Sequence, residues 1–126
     1  MLFRSYQVNL ILPFFVEIKA SLTGLSKFKE GVSELKELLS LRKAIKLHFQ
    51  EIVNDVLGGN EKAIGVFISG SDNKQLGWIP RETISEVQRM GRMEDLKISL
   101  INFKETEISM HFSRVACVIK ISSAEL

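Results

Sequence analysis

The chain has 126 residues, 45% of them hydrophobic and 25% charged, which is enough apolar material for a core and excludes a disordered tail protein. Its formal charge of +2 excludes a protein that coats nucleic acid through bulk charge, so any such contact has to be a local patch. Cys117 is the only cysteine and His48 and His111 the only histidines, so an internal disulfide and a zinc-binding spacing are both excluded.

The length suits one domain over 1–126. Residues 1–12 have no clean period and read as an extra edge strand or an arm. The apolar run 8–16 follows Arg4 in the manner of a leader, but Asn9 and Pro13 interrupt it and Glu17 and Lys19 follow at once. It is too short to span a bilayer and is expected to be part of the structure. Phe14, Val16, Ile18 and Ala20 alternate with Phe15, Glu17 and Lys19, the period of a half-buried strand. Phe28, Val32, Leu35 and Leu39, widened by Leu38, then recur at helical spacing. A core-facing helix is expected over residues 26–41, with Ser26 as its cap and Gly31 costing about 1 kcal/mol relative to alanine.

Residues 44–53 alternate again, with His48 on the polar face as a solvated histidine. Gly58, Gly59 and Asn60 mark a loop, and residues 63–69 read as a strand apolar on both faces. A polar turn at 70–73 leads to a strand over 74–79. Pro80, at a position that tolerates a missing N–H, opens a helix expected over 80–90, with Glu82 in its first turn and Gly91 as its C-cap. Residues 95–103 alternate as a strand, 104–107 read as a polar turn, and Ile108, Met110 and Phe112 resume the alternation. From Val115 to Ile119 both faces turn apolar, which suggests a bulge near Ser113 or burial on both sides. The expected fold class is therefore α+β, mainly antiparallel, with two helices.

No phosphate-binding glycine loop, nucleophile elbow, spaced carboxylate pair or metal box is present, so no enzyme, cofactor or metal is expected. Cys117 lies in an apolar run, where a thiol is usually inert. What stands out is Gln75-Leu76-Gly77-Trp78-Ile79-Pro80-Arg81-Glu82. On local physics it is a strand-to-helix corner with Trp78 in the core. It also offers a flat ring for base stacking, a guanidinium for phosphate and the N–H groups of a helix start. Lys74, Arg89 and Arg92 extend a weakly positive surface, although interspersed Glu82, Glu86, Glu94 and Asp95 equally describe an ordinary solvated helix.

Three strings in this region, Ala63-Ile64-Gly65-Val66-Phe67, Gly70-Ser71-Asp72-Asn73 and Leu76-Gly77-Trp78-Ile79-Pro80-Arg81-Glu82, occur in the order and spacing of the HIRAN domain family. That family's signature is an NAIAV-type strand, a polar hairpin, then a GYLPRE-type segment entering a short helix. The resemblance is clear over about residues 60–90. It implies a small OB-like barrel with accompanying helices and, from a member fused to a fork-remodelling translocase, binding of the 3′-hydroxyl end of single-stranded DNA. Carried over, the aromatic after the signature glycine is Trp78, and Arg81 matches a basic position of the same segment. Before the third strand the family carries NPYDxNAI, where this chain has Leu57-Gly58-Gly59-Asn60-Glu61-Lys62-Ala63-Ile64. The proline is missing, glycine replaces the aromatic, and Asn60 stands in the place of the carboxylate. Its amide can still donate and accept at a terminal hydroxyl.

Two readings follow. One is a nucleic-acid-binding module with Trp78, Arg81, Asn60 and Lys74 as its contacts and single-stranded DNA as its partner. The other is a non-catalytic interaction or assembly module that keeps the barrel, lacks the pocket and meets a protein partner or a second copy through the apolar stretch from Leu2 to Val16. An uncharacterised enzyme, recognisable by a deep polar pocket, is a third and weaker possibility. No membrane contact is expected, and the lone cysteine fits a reducing, cytoplasmic location.

Overall fold

The computed structural model describes residues 17–54, 61–70 and 72–123. Among the described residues its α+β architecture has two α-helices and six strands, every pairing antiparallel. In chain order these are β1 (Glu17–Ser21), a 3₁₀ turn (Leu25–Lys27), α1 (Lys29–Ser40), β2 (Leu47–Asn54), β3 (Glu61–Ile68), β4 (Gln75–Trp78), α2 (Arg81–Met90), a second 3₁₀ turn (Met93–Asp95), β5 (Leu96–Ser109) and β6 (Phe112–Ser123). The strands form two three-stranded sheets, ordered β1-β6-β5 and β2-β3-β4, and neither closes on itself among the described residues. No helix there is long and apolar enough to cross a membrane.

Alternation decides the inner faces. Ile64, Val66 and Ile68 of β3, with Leu76 of β4, meet Ala20 of β1 and Cys117, Ile119 and Ile121 of β6 in one buried cluster. Leu35 of α1 and Val87 of α2 complete it, both fully buried. The chain itself ties the sheets together. Leu22 N–H donates to the Cys117 carbonyl at 2.9 Å, and Thr23 exchanges two 2.9 Å backbone bonds with Trp78. One residue later in the chain, the partner has changed from one sheet to the other.

The helices depart from expectation at their ends. α1 begins at Lys29, because Ser26 is spent in the 3₁₀ turn, and no side chain caps it. Its buried stripe is Gly31, Val32 and Leu35, while Leu39 is 38% exposed. Gly31 lies against β4: a Cβ there would sit 2.0 Å from the Gln75 carbonyl oxygen, so the glycine serves close approach. The helix stops where Arg42 turns left-handed (φ 56°), with Lys43 N–H donating to Leu38 O and Arg42 N–H to Leu39 O. Pro80, with ψ 143°, is the cap of α2 rather than its first residue, and Gly91 is the C-cap as expected.

The expected polar turn at 104–107 is instead strand, paired residue for residue with Ala116 through Ser113. The turn is Met110-His111. Bulges fall on β5 at Ile101 and Ile108, where the register skips a residue, so the irregularity lies on the strand facing Ser113. The first bulge resets the alternation: Leu96, Ile98 and Leu100 lean on the core, Ile101 points out, and Phe103 leans in again. Between β3 and β4, Asp72 (φ 54°) and Asn73 (φ 49°) are both left-handed, a conformation that these two residue types tolerate and that suits a tight hairpin.

Candidate functional site

β4 is the edge of its sheet until Thr23 joins it, and that bridge fixes Trp78. The indole covers Gly24, whose φ of 74° and missing side chain leave room for the ring: a Cβ there would come within 2.9 Å of indole Cδ1. Phe28 meets the indole edge-on, centroids 5.9 Å apart and planes at 64°. Trp78 is thus half-buried, locked in orientation and still partly open to solvent.

Arg81, exposed, is the first residue of α2. It lines a cleft of about 380 Å³ together with Thr23, Lys62, Ala63 and Gln88. Two cations from separate elements line this cleft, and Thr23, which lines it too, is the backbone bridge partner of Trp78. Lys62 has Glu51 at 4.0 Å as its ion-pair partner. Lys74 is elsewhere. It pairs with Glu34 at 3.6 Å and lines a separate groove of about 340 Å³ with Lys27, Phe28 and Lys29 at the start of α1. Arg92 is held by Asp95 at 3.1 Å and by Glu94, and so adds nothing to the cleft. Asn60 and the Gly58-Gly59 turn lie outside the described residues, as does the stretch from Leu2 to Val16. Arg81 and Lys62 therefore share one cleft, Trp78 borders it through its backbone bridge to Thr23, and Lys74 lines a different groove with Phe28, the residue that packs on the indole.

The outward face of the β2-β3-β4 sheet holds a second set of groups that the sequence did not reveal. Register places His48, Phe67 and Gln75 in one row across the three strands, and Gln50, Gly65 and Trp78 in the next. His48 stacks on Phe67, centroids 5.7 Å apart and planes 18° from parallel. Its Nδ1 is 2.7 Å from Ser69 Oγ and its Nε2 is 3.5 Å from the Gln50 amide nitrogen. Both contacts are satisfied when Nδ1 carries the proton and Nε2 accepts. Gln75 Nε2 donates to the Gly77 carbonyl at 3.2 Å and lies over Gly65 beside the Phe67 ring.

Burial pushes the Cys117 thiol up to about 11, and that thiol sits in the core between the sheets. His48 lies on β2 and His111 in the distant β5–β6 turn. Among the described residues no three His, Cys, Asp or Glu side chains gather to hold a metal. Comparison with protein-family models, with curated proteins and with solved structures finds no match to this chain.

Proposed function

We propose that this protein is a non-enzymatic nucleic-acid-binding module, HIRAN-like in build, that receives the end of a single strand in the cleft at the start of α2. The observation that carries the reading is the convergence of Arg81 and Lys62 on one cleft that Thr23, the backbone bridge partner of the half-open Trp78, also lines. An end base stacks on the accessible part of Trp78, and its phosphate meets Arg81 and Lys62. Asn60 precedes β3 directly and is assigned the terminal sugar, as the resemblance implies. An OB-like barrel is supported by the path of the backbone bonds from β5 through β6 and β1, across Thr23, to β4, β3 and β2. The remaining gap lies between β5 and β2, which are in contact.

The test is a fluorescence titration with short single strands, free or blocked at the 3′ end. Trp78→Ala is expected to weaken binding about tenfold or more, since stacking is worth roughly 1–3 kcal/mol per base. Trp78→Leu keeps apolar bulk against Phe28 while removing the stacking face, and so separates stacking from that packing. Arg81→Ala weakens binding and flattens its salt dependence. Absence of binding at low salt by the folded protein overturns the reading.

One observation favours the alternative of an interaction module. Ile108, Met110 and Phe112, at 54%, 85% and 58% exposure, form an apolar tip on the β5–β6 hairpin. On that reading any partner stays bound as salt rises, the opposite of phosphate contacts.

A further inference from the structure

The outward face of the β2-β3-β4 sheet has the features of a stacking surface, and we propose that it is a second subsite on which the unpaired bases behind the strand end lie. This inference rests on the nucleic-acid reading and extends the bound strand well beyond the cleft. Three observations carry it. First, the His48–Phe67 pair is already stacked, so a base laid on it continues an existing stack. Rings ordered before binding lose little freedom on binding, unlike a flexible side chain. Second, the amides of Gln50 and Gln75 border the pair from the neighbouring row and strand, and Gly65 between them carries no side chain. Amides can hydrogen-bond any base edge, which suits a surface tolerant of sequence.

Third, the two rows contain no carboxylate, while the ends of the face are cationic. Lys46, exposed, accepts the Ser69 N–H on its carbonyl oxygen at one end, and Ala63 at the other lies in the cleft with Lys62 and Arg81. Residues 63–69 of an extended strand cover about 20 Å, enough for several nucleotides. A single strand whose end sits in the cleft therefore finds, in order, Trp78, the His48–Phe67 stack and Lys46.

The experiment compares a dinucleotide and a six-nucleotide single strand, both with free 3′ ends, against the whole chain. A third ligand is the longer strand with abasic sites behind its two end bases, which keeps every phosphate. Variants are Phe67→Leu, which keeps an apolar side chain and removes the ring, and His48→Ala. Circular dichroism and thermal melting establish that each is folded. The wild type is expected to bind the longer strand about fivefold or more tighter than either the dinucleotide or the abasic strand. Both variants lose that advantage and bind the dinucleotide as before. Equal affinity for the three ligands, or variants that keep the length advantage, overturns the subsite and leaves the cleft standing. Failure of the wild type to bind even the dinucleotide overturns the cleft, and the subsite with it.

Discussion

The β5–β6 hairpin is two different objects along its length. Its proximal half, where Leu96 to Phe103 pair with Ser123 to Cys117, carries Cys117, Ile119 and Ile121 on the floor of the core. Its distal half, where Lys104 to Ser109 pair with Ala116 to Phe112, has the same antiparallel ladder and almost no buried side chain. Backbone bonding is equal in the two halves. What differs is the second layer: β2-β3-β4 packs onto the proximal half, whereas the distal half meets only α1, across an open cleft and through the Lys36–Glu105 pair. An isolated two-stranded ladder is marginal in water, so the distal arm owes its order to its root and to a few polar ties.

The largest effect expected from that contrast is on the covered side. Leu35 is 0% exposed, so Leu35→Ala should cost about 2–5 kcal/mol in chemical denaturation. Phe112→Ala on the arm should stay within about 0.5 kcal/mol. Equal losses at the two sites would erase the distinction between core and arm.

Next comes Gly31→Ala. Helix propensity alone favours alanine by about 1 kcal/mol. The Gln75 carbonyl oxygen, 2.0 Å from the new Cβ, is backbone and cannot swing aside. A net loss of about 1–3 kcal/mol is expected, as overpacking usually costs. A raised denaturation midpoint would mean that α1 rides further from β4.

The sequence made the covered half legible and the arm illegible for the same reason. Ile64, Val66 and Ile68 belong to a run whose two apolar faces announce a buried strand, and Leu35 announces the buried stripe of α1 by its helical spacing. Lys104 to Glu107 are strand with solvent on both sides, and such a strand has no apolar period to read. The site divides likewise. Trp78 and Arg81 are near in sequence, so their proximity needed no fold. Pairing of His48 with Phe67 depends on register, and a slip of two residues would preserve every alternation while moving the histidine to another partner. Lys62 reaches the cleft through the same register. Gly31 read as a defect because helix propensity is local and the Gln75 carbonyl is not.

The smallest expected effect concerns the polar tie that holds the arm. Glu105 accepts from Lys36 of α1 at 2.9 Å and from Ser113 Oγ across the hairpin, also at 2.9 Å. The hydrogen bond from Lys36, with a second from Ser113, holds its carboxyl below the usual carboxylate range. A depressed value means that the tie is fully present above the ordinary carboxylate range and is lost as pH falls through the folded value. All three groups are near the surface, so global stability should hardly change. The readout is local: amide-exchange protection over residues 106–112, corrected for intrinsic rates. Glu105→Gln should lower it at neutral pH and leave Ile119 and Ile121 protected. Acidification should lower it in the wild type and not further in the variant. Unchanged arm protection in Glu105→Gln would show that the ladder alone keeps the arm in place, and its apolar tip would then be held out rigidly by its own pairing.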